Sequence, residues 1–373
     1  MNILLLSAYD AGSHRYWRRG LINAFAEYRW TELVLPARHF SWRIRGNPLS
    51  WLSEAASVLS QPYDLLVATS MVDLATLKGL CPVLAQVPAL CYFHENQFEY
   101  PKSAQQHASV EPQMVNLYSA LAADRVLFNS DFNRRTFLQG ADRLLSRLPD
   151  HRPGSVGPLL EGKTAVLPVP LDEAGLGVKG RPSKRFTLTW NHRWEYDKAP
   201  ERLLAALEGA LARGVDFDLH LLGEGFRKVP PVMQALRERL GRRVLSWGYL
   251  ESREAYYRCL AGSHLVLSTS LHEFQGLAML EGAALGACPL VPDRLSYPEL
   301  FPEHCRYPSH RDDPVAEAEA MAEAIAHFYS RYEAGKSLPR VDIQPWLWSR
   351  LKPRYAEEIR RAIAREGYPG ARR

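Results

Sequence analysis

Cysteine is sparse in this 373-residue chain. There are five, Cys81, Cys91, Cys259, Cys288 and Cys305, and no two form a C-x-x-C pair. A dispersed, odd set excludes a disulfide framework and a thiolate zinc site, and reads as reduced thiols in a cytoplasmic protein. No apolar run reaches the roughly 20 residues that a membrane-spanning helix needs. The opening stretch NILLLSA is too short and wrongly flanked for a secretory signal, so a cytoplasmic protein without stable membrane association is expected. There is no short-period repeat and no low-complexity tract. Neither sign of charge dominates: the net +5 permits a polyanionic partner but does not require one.

What is present is ordinary globular material, 46% hydrophobic and 23% charged, at a length that suits two or three domains. Short apolar runs alternate with helical patterns through the first half: NILLLSA (2–8), TELVLPA (31–37), YDLLVATS (63–70), VPALCYF (87–93) and RVLFNS (125–130). Unbroken β-type runs suit strands buried on both faces of a parallel sheet. A stretch rich in Pro, Gly and charge (167–184) interrupts the pattern. It then restarts with RFTLTW (185–190), FDLHLLG (217–223), RVLSWGY (243–249), HLVLSTS (264–270) and CPLVP (288–292). The expected architecture is α/β, two Rossmann-like domains facing a central cleft. Residues 1–168 form the first, 169–183 a linker, 184–345 the second, and 346–373 a C-terminal helix, interrupted at Pro353, that packs back on the first domain.

The chemistry concentrates at strand ends. In SLHEFQGLAMLEGAALGACPLVP, Glu273 and Glu281 stand eight residues apart, with a helix starting near Gly276. Glycine lets a ligand approach the backbone, and a helix mouth attracts phosphate. Phe274, Gln275, Gly276 and Leu277 are therefore candidate donor contacts. Glu281 can accept from a ribose diol, and Glu273 can reach sugar hydroxyls. Taken alone, an E-x7-E spacing is more often helix surface; the glycine and the preceding strand change that reading. In TWNHRWEYDK, Arg193 and Lys198 follow the first strand of the second half, where they can neutralise a departing diphosphate. Gly12 and Ser13 open the helix after the first strand, with His14 in its first turn; one glycine there falls well short of G-x-G-x-x-G. His94, Glu95 and Asn96 follow another strand. Arginines in the first 52 residues, Arg43 and Arg45 among them, are interleaved with Trp17, Trp30, Trp42 and Trp51. That mixture suits an RNA phosphate track with base stacking, or equally a charged surface over buried tryptophans.

Together these pieces resemble the family-4 retaining glycosyltransferases of GT-B fold, which carry an E-x7-E signature, an earlier Arg and Lys pair and a glycine-bearing first loop. Where that family commonly has Glu-Gly-Phe-Gly, this chain has Glu273-Phe274-Gln275-Gly276. A narrower resemblance spans nearly the whole chain. GSH, LPARHFSWRIR, YFHENQFEYP, FNSDFNRRTF, LPDHRP, WNHRWEYDK, HEFQGLAMLE and YPELFP are similar to motifs of the tRNA-queuosine α-mannosyltransferases, which transfer mannose from GDP-mannose to queuosine in the anticodon of tRNA-Asp.

The resemblance implies that Arg193 and Lys198 hold the diphosphate, Glu281 the donor ribose and Glu273 the sugar hydroxyls. His94 would face the sugar from the other domain, and Gly12 and Ser13 would line the cleft. His14, Arg43, Arg45 and Asn96 would meet the tRNA. No Asp-x-Asp pair lies near these loops, and two cations can replace a metal, so neither metal nor cofactor is expected. Two alternatives stay open at this level: a retaining glycosyltransferase acting on a lipid or soluble glycan, and a non-catalytic or isomerising protein of the same fold.

Overall fold

A computed structural model describes residues 1–100, 109–178, 183–225 and 229–366. Residues 179–182 of the expected linker and 367–373 of the expected C-terminal segment lie outside the described residues. The chain divides into two compact units. One comprises residues 1–170 with the C-terminal stretch from Trp348; the other is Leu171–Leu347.

In the first unit β1 (Asn2–Ser7), β2 (Arg29–Val34), β3 (Leu65–Thr69), β4 (Ala89–Phe93), β5 (Arg125–Phe128) and β6 (Thr164–Val166) form one parallel sheet ordered β2-β1-β3-β4-β5-β6. Every residue of β3, β4 and β5 is buried. The sequence shows this as apolar runs without alternation, because helices cover both faces. In the second unit β7 (Thr187–Asn191), β8 (Asp218–Leu222), β9 (Val244–Gly248), β10 (Leu265–Leu267), β11 (Cys288–Pro292) and β12 (Arg306–Tyr307) form a second parallel sheet ordered β12-β11-β10-β7-β8-β9. The α/β class and the paired parallel sheets implied by the alternation are both present.

Each order fixes a switch point. From β1 the chain moves outward to β2, then returns to place β3 on the other side; from β7 it moves to β8 and β9, then returns to β10. Ligands of open parallel sheets bind beyond the strand carboxyl ends at such reversals. The loops after β1 and β3, and those after β7 and β10, are thereby singled out by topology.

Two local features differ from the sequence reading. HLVLSTS stops being strand at Leu267, since the next hydroxyls bond elsewhere: Thr269 Oγ1 donates to the Lys198 carbonyl (2.6 Å), and Ser268 Oγ pairs with the Tyr297 hydroxyl (2.7 Å). The C-terminal helix Trp348–Ile363 runs through Pro353 without a break. So near the start of the helix, the missing N–H costs one backbone bond. The helix buries Leu351, Tyr355 and Ile359, and the Tyr355 hydroxyl accepts from Trp17 Nε1 (3.0 Å) and donates to the Pro168 carbonyl (3.0 Å). Among the described residues, no helix is long and apolar enough to cross a membrane.

Candidate functional site

In the second unit, the sequence after β7 turns through Tyr196–Lys198 into the helix Pro200–Ala212. This turn is stitched to the loop after β10. Leu271 N donates to the Asp197 carbonyl (2.8 Å), alongside the Thr269 bond already described. Lys198 Nζ, buried, donates to the His272 carbonyl (2.7 Å) and lies 3.4 Å from Glu273 Oε2 and 3.2 Å from Asp197 Oδ2. Burial opposes the Lys198 charge, but Glu273 and Asp197 more than offset it and raise its pKa. Burial likewise pushes Glu273 up, yet Lys198 and its neighbours win and hold the carboxyl at about 2. Both groups are therefore ionised at neutral pH.

Glu273 also turns back on its own backbone, its Oε1 accepting from Phe274 N (3.1 Å) and Gln275 N (3.4 Å). Phe274 and Gln275 are buried, and Leu277 is half-buried. Gly276 has φ +84°, and a Cβ there would come within 2.8 Å of the Tyr297 ring. Only glycine fits, and it turns the chain into the helix Leu277–Ala284. Glu281 sits on that helix, where its Oε2 accepts from the Tyr256 hydroxyl (2.8 Å). Arg193, half-exposed, pairs with Glu195 at 2.9 Å. His192 beside it is buried, and burial first, then the Lys198 charge, holds its ring at about 3, hence neutral. Topology and hydrogen bonding thus bring Arg193, Lys198 and Glu273 to one switch point. His192, Asp197, Asn191 and Tyr256 joined them without being singled out from the sequence. The first three adjoin Arg193 and Lys198 in WNHRWEYDK; Tyr256 lies in an unremarkable helix, Arg253–Gly262.

In the first unit, Gly12 and Ser13 are exposed where the helix Gly12–Ala24 begins after β1. His14 is buried instead. Its Nε2 lies 2.9 Å from Glu95 Oε2, whose Oε1 accepts from Ser70 Oγ (3.0 Å) at the end of β3. The His14 ring stacks on His94 at 4.2 Å, and His94 packs edge-on against Trp17 at 5.0 Å. Both His94 ring nitrogens are buried without a hydrogen-bond partner, and burial, then His14, keeps its pKa well below the usual value.

Three readings from the sequence change here. Asn96 is fully buried and offers no outward amide. Its Nδ2 bonds the Asn133 carbonyl (3.1 Å), Asn133 Oδ1 (2.9 Å) and Thr136 Oγ1 (2.9 Å), while its Oδ1 accepts from Phe98 N and Glu99 N. It shapes the segment behind His94. His14 is likewise a buried partner of Glu95 and not a surface group. Of the interleaved tryptophans, Trp17 and Trp51 are core; Trp42, on the helix Phe40–Glu54 with Arg43 and Arg45, is 52% exposed. Arg45 already pairs with Asp73 and, at 3.2 Å, with Glu111.

Residues 2–171 match the family model described as tRNA-queuosine alpha-mannosyltransferase N-terminal. A tRNA-queuosine alpha-mannosyltransferase of Drosophila melanogaster is 34% identical over 316 residues, covering 82% of this chain and 83% of its own. Among solved structures, Alr3699/HepE of Anabaena in complex with UDP superposes with TM-score 0.61 at 16% identity, covering 96% of this chain and 100% of that one. Sucrose-phosphate synthase of Thermosynechococcus elongatus gives TM-score 0.61 at 16% identity, covering 98% and 99%. At such identities the structural likeness speaks to the fold, which is GT-B.

Proposed function

The chain belongs to the tRNA-queuosine α-mannosyltransferase family, and from that premise we propose that it moves mannose from GDP-mannose onto queuosine in the anticodon of tRNA-Asp, with retention of configuration, in the cytoplasm. The observation that carries the donor half is the buried Lys198 held between Glu273, Asp197 and the His272 carbonyl at the switch point of the second sheet.

The bond that breaks joins the sugar C1 to the β-phosphate oxygen; the bond that forms joins C1 to the acceptor hydroxyl. We assign the hydroxyl's proton to the departing phosphate oxygen on the same face. The protein's part is then to position the groups and to stabilise charge developing on the diphosphate, which Arg193 and Lys198 do. These two cations do what a divalent metal would do there, so no metal is required. Glu273 takes sugar hydroxyls and, as the counter-charge of Lys198, keeps the ammonium in place. Glu281 takes the ribose. In the first unit, Trp42, Arg43 and Arg45 meet the tRNA; an unpaired anticodon base can be splayed out and stacked on an aromatic.

The test offers GDP-mannose with queuosine-containing tRNA-Asp and with the same tRNA carrying guanine. Mannose is expected only on the first, read by mass spectrometry of the nucleosides. Equal transfer to both, or transfer only to a lipid or free glycan, overturns the tRNA assignment.

A further inference from the structure

Glu281 does not stand alone. Its Oε2 accepts from the Tyr256 hydroxyl at 2.8 Å, and that hydroxyl lies 2.8 Å from Asn191 Nδ2. The same Nδ2 lies 3.1 Å from the carbonyl of Ala278, in the first turn of Glu281's own helix. A backbone carbonyl can only accept, so the Asn191 amide must present its NH2 on this side. Its second N–H then donates to the tyrosine oxygen, which leaves the tyrosine proton no partner but Glu281. One backbone carbonyl thus fixes the direction of the whole chain, Asn191 to Tyr256 to Glu281, and the direction demands an ionised acceptor at its end.

We propose that Tyr256 is a positioning residue for nucleotide recognition: with Asn191 behind it, it locks Glu281 as an oriented, ionised acceptor for the ribose hydroxyls of the donor. The inference rests on the assignment of the donor nucleotide to this unit. Tyr256 touches no reacting atom, so its loss acts on binding. Asn191 ends β7, two residues before Arg193, so the same chain ties the diphosphate loop to the ribose helix. Burial raises the Glu281 carboxyl, and the Tyr256 bond and the Arg253 charge oppose that rise. Tyr257 faces the same carboxylate. Arg253, Tyr256 and Tyr257 all come from the helix Arg253–Gly262, and only Tyr256 donates to the carboxylate.

The experiment is calorimetric binding of GDP and of 2′,3′-dideoxy-GDP to the wild-type chain, Tyr256→Phe, Glu281→Gln and the double variant. Tyr256→Phe is expected to weaken GDP about tenfold, the scale of one hydrogen bond to a charged group, while the dideoxy analogue changes little. In the Glu281→Gln background the tyrosine substitution adds little. The acid limb of GDP binding moves to higher pH in Tyr256→Phe, which a purely structural role does not produce. Donor KM rises with kcat unchanged. Equal loss for GDP and its dideoxy analogue, or wild-type GDP affinity in Tyr256→Phe while Glu281→Gln binds weakly, overturns the inference and leaves the donor assignment standing. A wild-type chain that binds no GDP overturns the donor assignment itself.

Discussion

Lys198 and Glu273 form a buried ion pair, 3.4 Å apart, across two loops 75 residues apart in sequence. Neither charge is supported alone: burial works against both, and each holds the other ionised. Breaking such a pair leaves an uncompensated charge, a larger loss than the pair's net worth.

Lys198→Ala and Arg193→Ala should each lower kcat/KM by about tens- to thousands-fold, or about 2–4 kcal/mol, as for loss of one donor to transition-state charge. Steady-state mannosyl transfer measures this; near-normal kinetics in both would refute the diphosphate assignment. Lys198→Ala should also destabilise the fold, while the exposed Arg193 should not, so a urea titration separates the two.

A pH dependence follows from His192. Its folded pKa, about 3, lies below the ordinary 6.5, so the folded ring stays neutral while the unfolded one takes a proton. Its contribution is present in full above pH 6.5 and is lost as pH falls from there toward 3. His192→Gln should flatten the slope of stability against pH in that window by up to about 1.4 kcal/mol per pH unit. Denaturant midpoints at about pH 5 and pH 7 test it; an unchanged slope argues against a neutral buried ring.

Gly276→Ala should destabilise by about 1–3 kcal/mol and weaken donor binding. The left-handed backbone alone costs about 1–2 kcal/mol for a side chain. The added carbon also meets Tyr297 at 2.8 Å, and the mouth of the Glu281 helix must shift. Thermal melts and GDP titration read the two effects; a variant as stable as wild type would show the turn to be dispensable.

Arg45 is already paired on an exposed surface, and such pairs are worth about 0–1 kcal/mol. Exchanging Glu111 for an RNA phosphate is therefore cheap. Glu111→Gln should tighten tRNA binding modestly. Arg43→Gln with Arg45→Gln should weaken it and flatten the log–log salt dependence by about 1. Filter binding across salt concentrations decides; an unaltered slope removes this helix from the RNA path.

Chelation is the last test. If Arg193 and Lys198 supply the positive charge, excess EDTA should leave transfer from GDP-mannose unchanged. A rate that collapses and returns with added divalent cation would show that the two side chains do not suffice.

The strand cores were legible because burial on both faces writes itself as continuous apolar runs. Glu273, Gly276 and Glu281 were legible because one turn and one helix hold them within nine residues, so spacing carries geometry. Asn96 misled because a polar residue after a strand looks the same whether it faces a ligand or, as here, ties the backbone behind His94 to the helix Asp131–Leu145. Trp17 and Trp51 looked like partners for bases, yet helix faces turned them inward, and no linear pattern separates them from the exposed Trp42. By itself the sequence determined two parallel α/β sheets and the phosphate-binding character of the Glu273 loop, since these rest on local periodicity and a single turn. Only the tertiary structure decided that Lys198 is charged against Glu273 and that Tyr256 orients Glu281. Those contacts join segments 75 and 25 residues apart, brought together by the order in which strands enter the sheet.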